Sequence, residues 1–329
     1  MSIIMLLTGH TAIEFWLKSR HRFPYAERAG LISSDSFDVR RLKNFLHSSP
    51  EFSIPFELIL GKRQNNTAVF KYFYKADFSK IPCLKVCEGV LVVSPAYLIK
   101  DLVERYPEEF YSPLLLSCEF CSAFTRADGQ FGSDTGDGFS LERCRPLMNR
   151  ASFKEIESVT KNFRASQALK RIASSLVENA YSPAEIALAL RLSLPEKYGG
   201  FGLPKPVLNS RLPLRKAGSA IRAKEIRPDL FWPALRLIYE YDGGRYHSQE
   251  EHIQKDSGKR NVLKNEGYDV LNVTKDQLFD ESKLLLLAEY LRKSCPDKRR
   301  SLKGKKLSPP KIIAREALRR VVIDYVIKG

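Results

Sequence analysis

The chain has 329 residues, 43% of them hydrophobic and 28% charged, with a formal net charge of +16. That apolar content excludes global disorder, and the length suffices for two domains, each with its own core. The excess of cations predicts a polyanionic partner, most simply nucleic acid, although a basic surface for anionic membranes would give the same sum.

Residues 1–8 hold a short greasy stretch, Ile3 to Leu7, with no basic segment before it and no small-residue cleavage site after it. No apolar run is long enough to cross a bilayer, so a cytoplasmic protein without a membrane partner is expected. Residues 11–19 have helical spacing, whereas 56–60 and 68–74 alternate or run β-branched and aromatic, as strands do. Ser94-Pro95 opens a helix, serine as the cap and proline at the first position, with Tyr97, Leu98, Leu102 and Val103 on one face. The glycine- and aspartate-rich residues 127–139 predict a surface loop, and the spacing of Asp128, Asp134 and Asp137 does not fit an EF-hand.

Six cysteines, Cys83, Cys87, Cys118, Cys121, Cys144 and Cys295, are scattered along the chain, which suits reduced thiols. Cys83-x3-Cys87 and Cys118-x2-Cys121 have the number of ligands a zinc ion takes. Cys118 and Cys121, however, lie in the apolar run 114–121 without the glycines of a zinc knuckle, so buried free thiols are the reading preferred here.

Ser152 with Glu155 predicts a capped helix that breaks near Asn162 and continues toward Asn179. Ser182-Pro183-Ala184-Glu185 is a second capping box, leading into 186–194, and the proline- and glycine-rich residues 195–213 read as loop. Residues 226–232 and 235–242 predict two strands joined at Pro233-Ala234. Period-two alternation puts Leu237, Tyr239 and Tyr241 on one face and Ile238, Glu240 and Asp242 on the other. Folding the hairpin brings Asp229 within about a residue step of Ile238 and Glu240, where facing side chains lie roughly 5 Å apart at Cβ.

Two carboxylates at that spacing repel unless a hard cation lies between them. Magnesium removes the penalty, binding one or two carboxylates while keeping most of its waters, and it can activate one water and neutralise charge building on a phosphate. His247 falls just before a helix capped by Ser248 and Glu251, at the mouth of the hairpin, where it could serve as general acid or base or simply as a surface group. Asp256 and Arg260 stand at i,i+4 on that helix as an orienting ion pair, Gly267 ends it, and residues 268–273 form a third strand parallel to the second. Trp232 and Tyr246 are packing residues or platforms for a base. Residues 296–329 hold eleven Lys or Arg against three Asp or Glu, half the net charge of the chain. Within them, 312–327 has helical spacing with a basic face, and Lys298, Arg299, Arg300, Lys303, Lys305 and Lys306 are candidate phosphate contacts.

Arg227-Pro228-Asp229, Tyr239-Glu240-Tyr241-Asp242-Gly243, His247, Asp256, Arg260, Leu263 and Gly267-Tyr268 together resemble the domain of very-short-patch-repair-like endonucleases, in the PD-(D/E)xK or restriction-endonuclease-like superfamily. The resemblance spans residues 182 to about 295. It implies an α/β core with a mixed central sheet flanked by helices, metal held by Asp229, Glu240 and the Tyr241 carbonyl, and Glu185 as a peripheral acid. The superfamily pattern places lysine two residues after the second acid, where this chain has Asp242. Related short-patch-repair-like proteins also tend to lack it and place a histidine nearby, a part His247 fills; Lys224, Lys259 or Arg260 are alternative sources of positive charge. Val90-Leu91-Val92-Val93-Ser94-Pro95 and the helix after it more weakly resemble bacterial proteins that join an antitoxin-like region to such a nuclease.

The organisation expected is a mixed α/β N-terminal domain over 1–175, antitoxin-like or recognising a DNA target, a nuclease-like domain over 176–295, and a basic arm and helix over 296–329. The activity expected is hydrolysis of DNA phosphodiester bonds with Mg2+ or Mn2+, Asp229, Glu240, Asp242 and His247 being the catalytic candidates. RNA stays open as a substrate. The alternative is a non-catalytic DNA-binding regulator or antitoxin-like protein that keeps the fold.

Overall fold

Strands rich in valine, leucine and aromatics alternate with capped helices, and the result, in a computed structural model, is a mixed α/β protein. The structure describes residues 5–19, 27–28, 55–60, 63, 65–74, 81–87, 90–127, 140–214, 225–242, 260–296 and 307–328. Two units divide the chain. One comprises Met1–Leu116, Thr125–Asp128 and Leu147–Ser174; the other comprises Ser117–Phe124, Gly129–Pro146 and Ser175–Gly329. No helix among the described residues is long and apolar enough to cross a membrane.

The first unit holds a six-stranded sheet built from β1 (Met5–Leu7), β2 (Glu27–Arg28), β3 (Phe56–Leu60), β4 (Phe70–Tyr74), β5 (Cys83–Cys87) and β6 (Val90–Val93), in the order β2-β5-β6-β1-β3-β4. β1 runs parallel to β6 and antiparallel to β3, which makes the sheet mixed. After β1 the chain turns into α1 (Gly9–Glu14) and continues as a π-helical segment, Phe15–Ser19, so the helix expected over 11–19 starts earlier and widens at its end. α2 (Pro95–Arg105) begins as its sequence predicts, with the Ser94 hydroxyl accepting from the Tyr97 amide at 3.2 Å. α3 (Tyr111–Phe120) is the apolar run, followed by β7 (Phe124–Ala127) and β8 (Ser140–Arg143); the glycine-rich residues between those strands lie outside the described residues.

α4 (Arg150–Ser158) starts two residues before the cap expected at Ser152. Asn149 is the actual N-cap, and Ser152 is the N3 member of its box: asparagine caps as well as serine, and the earlier of two adjacent candidates prevailed. α5 (Phe163–Ser175) follows the break at Asn162.

In the second unit α6 (Pro183–Ser193) is buried on nearly every side, which accounts for its run of alanine and leucine. The residues read as loop after it contain two short strands, β9 (Val207–Leu208) and β10 (Leu212–Pro213). The single strand expected over 226–232 is two strands in different sheets: β11 (Glu225–Ile226) pairs with β10, and β12 (Leu230–Trp232) with β13 (Leu237–Asp242) and β9. Arg227-Pro228-Asp229 breaks them apart because proline has no amide for a ladder. The turn expected at Pro233-Ala234 is a 3-10 turn over Pro233–Leu235 with Arg236 in the left-handed region, so β13 starts at Leu237 instead of 235.

After helical residues 260–265, β14 (Asp269–Thr274) lies parallel to β13, giving a four-stranded mixed sheet in the order β14-β13-β12-β9. Gly267, at φ +81°, supplies the left-handed residue that ends the helix, as its position predicts. Next come α7 (Lys275–Phe279), α8 (Glu281–Ser294) and α9 (Pro309–Lys328), the last confirming the helix expected near the C-terminus. One sheet face carries a core of Leu212, Ile226, Phe231, Ile238 and Leu263, each worth about 2 kcal/mol when taken from water. The opposite face seats Tyr239, whose hydroxyl donates to the Leu287 carbonyl at 2.8 Å and whose ring meets Trp232 edge-on at 5.0 Å.

Candidate metal centre

The register of β12 and β13 places the two strongest acidic candidates. Leu230 faces Tyr239 and Phe231 faces Ile238, so continuing the ladder by one residue sets Asp229 across from Glu240. Both then share the face of Phe231 and Ile238, at the end of the apolar core. The Asp229 carboxylate accepts from the Tyr241 amide at 2.7 Å, so the break that ends β12 is closed by a side chain instead of a backbone bond. Asp229 and Glu240 are both half-buried, and one Glu240 oxygen is shielded from solvent. The parallel pairing of β13 with β14 sets Asn272 beside Glu240 and Thr274 beside Asp242 on the same face.

Glu185, on the first turn of α6, is 5% exposed and reaches this region. Its carboxyl accepts from the Tyr181 amide (2.9 Å), the Ser182 hydroxyl (2.9 Å) and the Asn209 side-chain amide (2.6 Å). It is therefore the N3 residue of a helix capped by the Ser182 hydroxyl and a buried acid at once; its carboxyl bonds the Tyr181 amide instead of the Ser182 amide, so the expected capping box is only half formed. Burial first, and the negative charge of Asp229 second, push the Glu185 carboxyl from 4.5 up to about 8, against the lowering effect of those hydrogen bonds. Glu185 is thus a neutral acid near pH 7 while the protein is free of cations.

Three residues of this region carried no role in the sequence. Asn209 sits in the left-handed region at φ +47°, donates its backbone amide to the Pro228 carbonyl at 3.0 Å, and uses its side chain to join Glu185 to the Asn179 carbonyl at 3.0 Å. An asparagine inside a proline and glycine cluster is the only signal that could have marked it. Tyr181 holds Arg227, whose guanidinium donates to the tyrosine oxygen at 2.7 Å. Asn272 is visible only once the β13–β14 register is known.

Other candidates are not brought together. Asp242 is exposed at the end of β13, and Arg260 is half-buried in the first described turn of its helix. His247, Asp256, Tyr246, Lys224 and Lys259 lie outside the described residues, as do the caps Ser248 and Glu251 and the cations Lys298, Arg299, Arg300, Lys303, Lys305 and Lys306. Trp232 is 2% exposed with its indole donating to the Pro204 carbonyl at 2.7 Å, so it packs and does not stack on a base. Cys83, Cys118 and Cys121 are buried thiols outside any disulfide, and Cys118 accepts from the Val177 amide at 3.3 Å. Among the described residues, no three His, Cys, Asp or Glu side chains form a group able to hold a metal ion. Compared with family models, with curated proteins and with solved structures, the chain matches none.

Proposed function

We propose that the second unit is a metal-dependent endonuclease acting on DNA phosphodiester bonds, of the very-short-patch-repair-like kind within the PD-(D/E)xK superfamily. The observation that carries this reading is the β12–β13 register with the Tyr241 amide bound to Asp229, which turns two acids eleven residues apart into neighbours on one sheet face. The donor set fits Mg2+ or Mn2+: Asp229, Glu240 and the Tyr241 carbonyl supply hard oxygens, and magnesium needs only one or two carboxylates when water completes its shell. Such an ion would lower the pKa of a bound water and neutralise charge developing on the phosphate.

The chain's own residues orient this site. The Tyr241 amide fixes Asp229, and Asn209 fixes Glu185, a neighbouring carboxyl that burial and the Asp229 charge keep protonated up to about pH 8 and that nearby positive charge would help to ionise. Arg227, anchored by Tyr181 two residues before Asp229, offers a guanidinium for a phosphate oxygen where Asp242 replaces the family's lysine. His247 belongs to this reading as the base that assists water.

The test is supercoiled plasmid incubated with Mg2+ or Mn2+ and, in parallel, with EDTA. Metal-dependent nicking that disappears in Asp229→Ala, with plasmid binding retained, supports the nuclease. Nicking that survives in Asp229→Ala sinks the site. A DNA-binding regulator that keeps the fold is the second reading, favoured by the exposed acid at position 242. It gives a salt-sensitive gel shift without nicking in either metal.

A further inference from the structure

The first unit presents a helical face whose chemistry differs from the rest of its described surface. α4 and α5 are joined by the four residues Val159 to Asn162, a length suited to a helix-turn-helix corner. The corner is held from several directions. The Thr160 hydroxyl donates to the Ile156 carbonyl at 2.6 Å, and the Asn162 side chain caps α5 through the Ala165 amide at 3.2 Å. The Arg150 guanidinium donates to the Ala173 carbonyl at 2.7 Å, and Lys170 pairs with Glu157 at 3.1 Å. Beneath them Phe153, Ile156, Ala165, Ala168, Leu169 and Ile172 are buried.

With its inner face committed, α5 turns a second face to solvent. At about 100° per residue, Phe163, Arg164, Gln167, Lys170 and Ser174 fall within an arc of roughly 120°. Phe163 is 75% exposed, more than any other large hydrophobic side chain among the described residues. A phenyl ring so exposed at the first turn of a well-packed helix contributes little to the core. Its neighbours Lys161 and Arg164 are exposed and have no ion pair among the described residues, and residues 150–171 carry six Lys or Arg against two Asp or Glu.

We propose that α5 is a docking helix for double-stranded DNA. Lys161 and Arg164 contact backbone phosphates, Gln167 meets a base edge in the major groove, and Phe163 packs on a thymine methyl group. Four observations converge on a duplex: a capped helix held rigid by its partner, a row of cation and amide at helical spacing, unpaired positive charge complementary to phosphate, and an exposed apolar tip of a kind that base methyl groups accept. The inference stands apart from the nuclease reading, because it concerns binding by the first unit and needs neither metal nor cleavage.

The experiment uses the full chain in EDTA, where cleavage is silent, and measures fluorescence anisotropy with an alternating A·T duplex across a salt series. The double variant Lys161→Gln/Arg164→Gln is expected to bind roughly ten- to a hundred-fold more weakly, with the slope of log K against log salt reduced by about 2. Wild type should bind the thymine duplex a few-fold more tightly than the same duplex carrying uracil, and Phe163→Ala should erase that difference while leaving the salt slope intact. All three side chains are exposed, so thermal melting should be unchanged and a folding defect is separable. An unaltered affinity and slope in the double variant would overturn the proposal. So would thymine and uracil duplexes that wild type binds equally, or tighter binding of single-stranded RNA than of the duplex. The measurement needs neither metal nor cleavage, so failure of the nuclease reading leaves this result intact.

Discussion

Replacing Glu185 by glutamine should make the metal-free protein more stable at alkaline pH. The carboxyl ionises near 4.5 in an unfolded chain and near 8 in the folded one, because burial and the Asp229 charge both disfavour its anion. Between those values the folded state holds a proton that the unfolded state has released. Stability from this group is therefore fully present below 4.5, falls by about 1.4 kcal/mol for each pH unit above it, and levels out beyond 8. The total is on the order of 5 kcal/mol, a large share of the roughly 5–15 kcal/mol that holds a typical domain folded.

Glutamine copies the neutral acid. Its carbonyl can keep the bonds from the Tyr181 amide and Asn209, while the bond donated by the Ser182 hydroxyl to the other carboxyl oxygen is the one its amide group must reverse. Glu185→Gln should thus match wild type near pH 5 and exceed it by a few kcal/mol near pH 9. Native-state hydrogen exchange of the β13 amides, followed in EDTA at pH 5, 7 and 9, reads the second unit alone. Asp229→Asn should shrink the pH dependence without removing it, since burial is the larger cause. Parallel stability curves for wild type and Glu185→Gln would refute the reasoning.

Three other outcomes follow from packing and hydrogen bonds. Tyr239→Phe removes the buried hydroxyl bond to the Leu287 carbonyl and should cost about 1 kcal/mol, measured by urea unfolding of the second unit. Asn209→Ala removes the donor shared by Glu185 and Asn179 and puts alanine at φ +47°, so a loss of about 2–3 kcal/mol is expected by the same measurement. Gly199→Ala would place a methyl 2.3 Å from the Ala314 carbonyl oxygen at φ +80°, which forces α9 away from its seat. A loss of about 1–3 kcal/mol with faster limited proteolysis around α9 is expected, and unchanged digestion would contradict that docking.

How far the sequence could be read depended on whether each signal was local. Ser94-Pro95, Ser182-Pro183 and Gly267 announced helix ends correctly because a cap is a property of three or four adjacent residues. The β13–β14 parallel pairing was legible too, since a strand, a helix and a strand in succession leave few alternatives. Asn149 was missed as a cap because Ser152 offered an equally good local pattern three residues on. The strands β9 and β10 were hidden because two-residue strands carry no periodicity; they exist through pairing with β12 and β11. Asp229 and Glu240 were recognisable as neighbours from the turn between them, even with the turn misplaced by two residues. Asn209 and Asn272 reach the same region from elements distant in sequence, and no spacing rule could bring them there.

The C-terminal helix changes how the net charge bears on function. Counted along the sequence, residues 296–329 hold half of it, and the helix over 312–327 was expected to carry a basic face. In the folded chain Lys311 pairs with Glu196 at 2.7 Å, and Arg315 lies over the Phe201 ring at 4.3 Å and beside Glu281 at 3.5 Å. Arg319 donates to the Phe279 carbonyl at 3.0 Å, and Arg320 is paired with Glu316 on its own helix at 3.0 Å. Arg191, 2% exposed, meets the same Glu281 and the Leu278 carbonyl. Lys311, Arg315 and Arg319 fasten α9 to the turn at Glu196–Tyr198, to α8 and to α7, and releasing them toward a phosphate would cost the contacts that seat the helix. The polyanion binding proposed above therefore draws on cations without such partners. In the first unit Lys161 and Arg164 meet that description, which makes the face of α5, not the terminal helix, the place where a salt-dependent affinity should be sought.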